Sequence, residues 1–193
     1  MVGFEGDSRL AVVAENVALA FVDQGPCMTA RTLYYAPGAC SLAAHIILEE
    51  SGLPYVGNKL DLAAGDQWRP EYLSINDRGR VPALTEDGWV LTECAAILRH
   101  VARQVPEKAL WPTDLREQAA ADEWLGWLAC NHHVTYAHVR RPERYTDDES
   151  AFEGIKAKAA NTYADLAMMT EVRLAPVSYT HLRARDQRGS RMP

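Results

Sequence analysis

Apolar and polar positions divide the chain into two parts with different periods. Between residues 28 and 105, short β-favouring runs alternate with helical segments, whereas from residue 113 to about residue 175 the apolar spacing is helical. The first part therefore predicts an α/β domain and the second an all-α domain. Residues 106–112 begin and end with proline, which is typical of a linker between domains.

The first part predicts the order strand, helix, strand, hairpin and helix. A strand–helix–strand start forms a parallel unit, to which a hairpin adds antiparallel strands. This order predicts a thioredoxin-like sandwich, in which Thr92 is expected to cap the last helix. The expected elements are a strand at 32–35, a helix at 40–52 with Leu42, His45, Ile46 and Leu48 on one face, a strand within 55–62, a polar loop at 63–79, strands at 81–84 and 89–91, and a helix from residue 92 to about 102.

The second part predicts two long helices, from Asp114 to about His138 and from Asp148 to about Arg173.

The hydrophobic pattern changes at both ends of the chain. Residues 1–27 show no clear strand or turn pattern, so we expect a non-native extension before a natural start at Met28. Residues 176–193 are rich in arginine, and their apolar residues follow no helical or strand periodicity. One interpretation is a basic tail for nucleic acid; we favour a translated sequencing adapter, because the run VSYTHL resembles one.

Composition narrows the classes of function. The 193 residues are 48% hydrophobic and 24% charged, with a net charge of −6. This charge is unfavourable for binding nucleic acid or an anionic membrane, and no apolar run approaches the roughly 20 residues that cross a bilayer. The apolar stretch at 10–22 is interrupted by Glu15 and Asn16 and has no basic leader, so we expect no signal peptide. Four widely spaced cysteines without a C-x-x-C pair indicate reduced thiols in the cytoplasm.

Cys40 is the most informative single residue. It follows Pro37-Gly38-Ala39 and starts the first predicted helix. Unpaired N–H groups and the helix dipole lower the pKa of a thiol at such a position, and the resulting thiolate can exchange with a disulfide. The alternative is a buried structural cysteine, because a free cysteine packs well as a small hydrophobic residue.

Two further segments have a functional and an ordinary interpretation. A cis bond at Val81-Pro82 would leave the Val81 backbone free to pair with an extended peptide, whereas a trans bond would indicate a plain loop-ending proline. At Glu93-Cys94 a helix start could bind a carboxylate and an ammonium group, or it could be a plain acidic cap. In a thioredoxin-like sandwich both segments meet the start of the first helix. Together with Cys40 they predict a groove for a small peptide.

Four stretches together resemble bacterial beta-class glutathione transferases. The resemblance runs in one colinear order from about Met28 to Leu174. It implies a homodimer of two-domain subunits that use glutathione as a co-substrate, with a helical domain about four helices longer than this chain provides. The stretches are TLYYAPGACSLAAHIILEESGLPY (32–55), NDRGRVPAL (76–84), LTECAAILRHVA (91–102) and DEWLGWLACNHH (122–133).

The resemblance also implies roles for single residues. Cys40 would form a mixed disulfide with glutathione, and His133 would approach the thiol from the helical domain. Val81 would pair its backbone with the cysteinyl unit of glutathione. Cys94 stands where the family often has Ser or Gly, and the neighbour His132 points about 100° away from His133 on a helix. The implied catalytic residues are Cys40 and His133, and the implied glutathione-binding set is Cys40, Val81, Pro82, Glu93, Cys94, Cys130 and His133.

We therefore expect a cytoplasmic glutathione transferase that conjugates the glutathione thiol to small electrophiles, with thiol–disulfide exchange through Cys40. Tyr34, Tyr35 and Ser41 lie near Cys40 in the sequence, and the question whether one of them also stabilises a thiolate is left open. The alternatives are a non-catalytic glutathione-binding or regulatory protein on the same fold, or an inactive fragment. Expected partners are glutathione, a small electrophile or disulfide, and a second copy of the chain. The histidines lack the H-x-x-x-H spacing of a metal site, so no metal is expected.

Overall fold

The computed structural model describes residues 30–186, and for residues 176–186 it describes the backbone alone. The expectations for residues 1–27 and for Met28 as the start lie outside the described residues. The strands are β1 (Arg31–Tyr35), β2 (Val56–Lys59), β3 (Ala83–Glu86) and β4 (Trp89–Thr92). The α-helices are α1 (Ser41–Ser51), α2 (Pro70–Leu73), α3 (Cys94–Gln104), α4 (Leu115–Trp127), α5 (Val134–Arg140) and α6 (Phe152–Asp186).

The four strands form one mixed sheet in the order β2-β1-β3-β4. β1 pairs in parallel with β2 and antiparallel with β3, and β3 pairs antiparallel with β4. The β3–β4 hairpin turns at Asp87-Gly88, where both residues have positive φ, as tight hairpins require. The predicted thioredoxin-like fold of the first part, followed by helices, is confirmed. The proposed domain boundaries stay a prediction.

Helices α1 and α3 pack on the sheet and close its core. The residues at the centre of this core are fully buried, and they come from both layers: Leu33, Ala44, Leu48, Leu84, Ile97 and Val101. The predicted apolar face of α1 was right for Leu48 but wrong for Leu42 and Ile46, which are mostly exposed; Ala44 is buried beside Leu48 instead. Helix α1 ends at Gly52, whose φ of +71° is the left-handed conformation that favours glycine.

Two local predictions in the first part need correction. Thr92 is the last residue of β4, and Glu93 occupies the cap position of α3 with φ 70° and no side-chain capping bond. The predicted polar loop at 63–79 contains a 3-10 turn and the short helix α2. Tyr72 of that helix is buried, and its hydroxyl donates to the carbonyl of Arg80 at 2.5 Å. Neither feature follows from local hydropathy, because tertiary contacts decide both.

A buried ion pair ties the far end of the sheet to α3. Arg31 Nε donates to Glu86 Oε1 at 2.5 Å, and His100 lies 2.7 Å from the second oxygen of the same carboxylate. Gln104 Oε1 accepts from Arg31 at 2.8 Å. The Arg31 side chain is 2% exposed and that of Glu86 is 12% exposed, so the pair is shielded from water.

The second part is helical, as predicted, but its first helix is irregular. Between α4 and α5 the segment Leu128–His133 is π-helical, so one helical run extends from Leu115 to Arg140. The second long helix, α6, continues past Arg173 to Asp186. In the described chain from 113 to 175, the only residues classed as buried are Pro142 and Ala159. Within residues 30–186 no helix has the length and apolar character to cross a bilayer.

Candidate active site

Three segments that are distant in sequence meet around Cys40. The Cys40 thiol donates to the carbonyl oxygen of Val81 at 3.4 Å. The Cys94 thiol donates to the carbonyl oxygen of Cys40 at 3.2 Å. We call Cys40, Val81 and Cys94 the thiol cluster. The predicted meeting of the two helix starts with the Val81-Pro82 segment is confirmed.

The turn between β1 and α1 holds Cys40 in place. Gly38 adopts φ +71° within this turn. Ser41 is fully buried, and its hydroxyl bonds to the backbone N–H and carbonyl of Ala36, each at 3.1 Å. Ser41 therefore fixes the turn and has its hydroxyl occupied there. Its role as an additional thiolate stabiliser is not favoured by this geometry.

The bond between Val81 and Pro82 is cis, which selects the first of the two interpretations of this segment. Pro82 is buried immediately before β3, and Val81, which precedes it, is half-buried. The Val81 carbonyl faces the Cys40 sulfur. Because Val81 lies before the strand, its backbone is outside the hydrogen-bond ladder of β3.

The electrostatic surroundings of the thiol cluster separate its two cysteines. A hydrogen bond from Cys94, together with the backbone N–H groups of Cys40 and Ser41, outweighs burial and lowers the pKa of the Cys40 thiol to about 7. The contact with Cys40, burial and the nearby negative charge of Glu93 raise the pKa of the Cys94 thiol. Cys40 is therefore the thiolate of the pair near neutral pH, and Cys94 is its hydrogen-bond donor.

Glu93 immediately precedes Cys94 of the thiol cluster, and its side chain is exposed at the surface. Its φ of 70° is unusual for a residue with a side chain, and such backbone strain is concentrated at functional sites. Its carboxylate pairs with Arg78 Nη1 at 3.0 Å, and both side chains are largely exposed. No local pattern in the sequence indicates Arg78 as part of this site, since only the fold brings residue 78 beside residue 93.

The loop before α2 offers two candidates for the glycyl end of a glutathione-like ligand. Arg69 is exposed and pairs with Asp66 at 3.0 Å. Gln67 donates to the carbonyl of Leu62 at 3.4 Å, and its side-chain oxygen Oε1 is buried without a hydrogen-bond partner. Neither contact is with the thiol cluster.

The two adjacent histidines have different surroundings. His132 Nε2 lies 2.7 Å from Thr170 Oγ1 and 3.0 Å from the carbonyl of Leu166, so it fastens the π-helical segment to α6. His133 is exposed, and within the described chain its side chain has no hydrogen bond, ion pair or ring contact. Cys130 is exposed on the same segment. The structure therefore does not bring His133 or Cys130 into contact with the thiol cluster.

The chemistry of the site depends on thiols and backbone groups of the described residues. Among the described side chains, those of residues 30–175, no group of three or more His, Cys, Asp or Glu is placed to hold a metal ion. The thiol cluster offers one nucleophilic sulfur, a neighbouring thiol and an accessible backbone segment. This combination can bind an extended peptide and exchange with its sulfur.

The known proteins that are similar to this chain are mainly glutathione S-transferases. A family model described as the glutathione S-transferase N-terminal domain matches residues 30–103. Glutathione S-transferase GstA of Escherichia coli O157:H7 is 38% identical over 118 residues, which are 58% of this chain and 57% of the relative. The transcriptional regulator URE2 of Saccharomyces cerevisiae is 31% identical over 139 residues, covering 62% of this chain and 39% of the relative. The chain thus spans less than three fifths of the length of these curated relatives.

Solved structures agree with the fold. A glutathione transferase homologue from Sulfitobacter with bound glutathione has a TM-score of 0.71 and 41% identity, over 75% of this chain and 70% of that chain. The bacterial beta class glutathione S-transferase of Sphingomonas chungbukensis has a TM-score of 0.62 and 35% identity, over 74% of this chain and 69% of that chain.

Proposed function

The chain belongs to the glutathione S-transferase family, and we propose that it binds glutathione at the thiol cluster and conjugates the glutathione thiol to small electrophiles. The observation that carries this proposal is the Cys40 sulfur, which lies 3.4 Å from the Val81 carbonyl beside a cis-proline. A transferase needs a peptide-binding edge and a group that stabilises a thiolate at neutral pH. The thiol cluster combines these two requirements.

Each residue around the thiol cluster has a proposed part in binding. The Val81 backbone pairs with the cysteinyl unit of glutathione, and Pro82 holds that backbone at the edge of the sheet. The N–H of Cys94, at the start of α3, binds the γ-glutamyl carboxylate, because a helix start favours an anion. Glu93 binds the γ-glutamyl ammonium group, with Arg78 holding its carboxylate. For His133 and Cys130 of the π-helical segment, the family resemblance supports a part in binding, although neither side chain contacts the thiol cluster in the described structure.

The proposed reaction begins when glutathione binds beside the protonated form of Cys40, whose S–H donates to the glutathione sulfur while the glutathione thiol gives its proton to water. The glutathione thiolate then attacks the electrophile, and the leaving group or the adduct takes up the charge. The lowered pKa of Cys40 also favours thiol–disulfide exchange, in which the Cys40 thiolate attacks a disulfide and forms a mixed disulfide with glutathione. Both reactions need a reduced Cys40, which is the state that thiols keep in the cytoplasm, and we expect the protein to act there as a homodimer.

Affinity for immobilised glutathione and turnover of a chromogenic electrophile test the proposal. We expect the chain to be retained, to elute with free glutathione, and to turn over the electrophile. Cys40→Ala should lower turnover about 10- to 100-fold, since a hydrogen bond to a charged group contributes about 1.5–3 kcal/mol. Ser74→Ala, a change of similar size at an exposed position, should leave turnover unchanged. A chain that neither binds nor turns over would contradict the proposal.

A second candidate is a regulatory protein that binds glutathione without turnover. The similarity to a relative that is named a transcriptional regulator favours it. Retention on immobilised glutathione with no turnover of any electrophile, by the unmodified chain, would support this candidate over the transferase.

A further inference from the structure

The thiol cluster contains two cysteines where a single thiol would be sufficient for the proposed transferase. Cys40 precedes α1 and Cys94 is the first residue of α3, 54 positions further along the chain. Both cysteines are free and half-buried. The two residues are in direct contact, because the Cys94 thiol donates to the Cys40 carbonyl oxygen at 3.2 Å.

We propose that Cys94 is a resolving thiol, which attacks the mixed disulfide between Cys40 and glutathione and leaves a reversible Cys40–Cys94 disulfide. This inference rests on the proposed function, in that Cys40 first forms the mixed disulfide. It adds a second catalytic residue and a redox cycle with two thiols. The substrate class is a glutathione-containing disulfide, either glutathione disulfide itself or a mixed disulfide of glutathione.

The first step consumes one disulfide bond and forms another. The Cys40 thiolate attacks a sulfur of glutathione disulfide, a Cys40–glutathione bond forms, and one glutathione thiolate leaves and takes up a proton from water. In the second step Cys94 loses its proton and attacks the Cys40 sulfur. The Cys40–Cys94 bond forms, and the second glutathione leaves as a thiolate that takes up that proton. One glutathione disulfide is reduced to two glutathione molecules while the two cysteines are oxidised.

The order of the two attacks follows from the charges at the site. While Cys40 is a thiolate, its negative charge and its acceptance of the Cys94 hydrogen bond both raise the pKa of Cys94. Cys94 is therefore a poor nucleophile in the resting protein and does not compete with Cys40. Once Cys40 carries a glutathionyl group, both of these effects vanish, while burial and Glu93 remain. The pKa of Cys94 then falls, and the thiol becomes more reactive at the moment when it is needed.

Placement also favours Cys94 over the other described cysteine. Cys130 is exposed on the π-helical segment, and it has no described contact with Cys40. Helices α1 and α3 pack side by side on the same face of the sheet, so their first turns hold Cys40 and Cys94 at a fixed separation. A rigid separation raises the effective concentration of the second thiol, which makes the internal attack faster than attack by free glutathione.

Anaerobic incubation of the reduced full chain with glutathione disulfide tests the inference. Released glutathione is counted per chain, and the products are mapped by peptide mass spectrometry without reduction. We expect two glutathione molecules per chain and a Cys40–Cys94 disulfide. Cys94→Ser should release one glutathione and stop at a stable adduct on Cys40. Cys27→Ser, a cysteine in residues 1–27 with no proposed part in the site, should behave like the unmodified chain in this readout.

Two results would overturn the inference. The unmodified chain could accumulate a stable glutathionyl adduct on Cys40 with one glutathione released, as Cys94→Ser does, or its internal disulfide could join Cys40 to a cysteine other than Cys94. Both leave the proposed mixed disulfide intact. Failure of the proposed function looks different, because then neither the unmodified chain nor Cys94→Ser reacts at Cys40. Far-ultraviolet circular dichroism of Cys94→Ser checks that this variant is folded, and glutathionylation at Cys40 confirms that its site is intact.

Discussion

The thioredoxin-like part (residues 30–105) and the helical part (residues 113–175) differ in how much of their apolar surface they bury. The first part encloses a core whose central residues, among them Leu33, Leu84 and Ile97, have no exposed surface. The second part leaves Met168, Met169 and Val172 of α6 exposed at 59–70% of their surface. The chemistry of the proposed site lies in the part with the closed core. The comparison indicates that the thiol cluster depends mainly on contacts within residues 30–105.

The largest expected effect tests whether a polar network supports that closed core. Glu86→Gln removes the partner of the buried Arg31 guanidinium, and leaving such a charge unpaired costs about 3–5 kcal/mol. Glu107→Gln, at an exposed position, should change the free energy of unfolding by less than about 0.5 kcal/mol. Urea denaturation at pH 7 measures both. Equal stability of the two variants would show that the Arg31–Glu86 pair adds nothing to the first part.

The same network predicts a dependence of stability on pH. Burial opposes ionisation of Glu86, but the hydrogen bonds from His100, Arg31 and Gln104 outweigh it and hold the pKa of the carboxyl below its usual value. The stabilisation is therefore fully present above the usual glutamate pKa of about 4.3, and it is lost as the pH falls through the lowered pKa. Glu86→Gln should show a shallower loss of stability in this acid range than the unmodified chain.

A pair of truncations compares the two parts directly. Leu84→Ala leaves a cavity in the core of the first part and should lower the free energy of unfolding by about 2–5 kcal/mol. Met168→Ala removes an exposed side chain of α6 and should change it by less than about 0.5 kcal/mol. Urea denaturation followed by circular dichroism measures both. A larger loss for Met168→Ala would mean that the exposed face of α6 is covered in solution, for example by a second copy.

Substitution of each of the two adjacent histidines separates an effect on stability from an effect on turnover within the helical part. His132→Ala removes the bonds to α6 at Leu166 and Thr170 and should cost about 1–3 kcal/mol of stability. His133→Ala removes an exposed ring and should leave the melting temperature nearly unchanged while slowing turnover more than His132→Ala does. Thermal melting and electrophile turnover of both variants are compared. Slower turnover in a folded His132→Ala than in His133→Ala would reverse the proposed roles.

The smallest expected effect concerns residues 1–27. Because the described core of the first part is formed by residues between 30 and 105, deleting residues 1–27 should leave the melting temperature and glutathione binding unchanged. Differential scanning calorimetry and a glutathione-binding isotherm of the shortened and full chains provide the comparison. A fall of several degrees in melting temperature would show that these residues pack on the core.

The elements of the fold were predictable where the conformational preferences of neighbouring residues determine them. The β-favouring run at Thr32–Tyr35, the stop at Gly52 and the turn at Asp87-Gly88 all have local causes, namely β propensity and positive φ. The face of α1 was partly wrong, because α1 carries apolar residues on more than one side and packing against the sheet selects among them. The cap of α3 was wrong for a similar reason, since pairing with β3 extends β4 through Thr92.

The site was predictable in part. The convergence of Cys40, Val81 and Cys94 followed from the order of elements in a thioredoxin-like sandwich. The bond from the Cys94 thiol to the Cys40 carbonyl was not predictable, because it depends on a side-chain direction at one of two helix starts that lie 54 residues apart. The pairing of Glu93 with Arg78 and of Arg31 with Glu86 was hidden for the same reason. Long-range pairs between polar residues leave no periodic signal in a single sequence.

The pH dependence of Cys40 alkylation tests the central claim most directly, namely that Cys40 is a thiolate at a glutathione-binding edge. Iodoacetamide labelling of the reduced chain is followed at Cys40 by peptide mass spectrometry, with and without the thiol-free analogue S-methylglutathione. We expect half-maximal reactivity near pH 7 and slower labelling when the analogue is bound. A midpoint near the ordinary thiol value of about 8.5, with no protection by the analogue, would contradict the account.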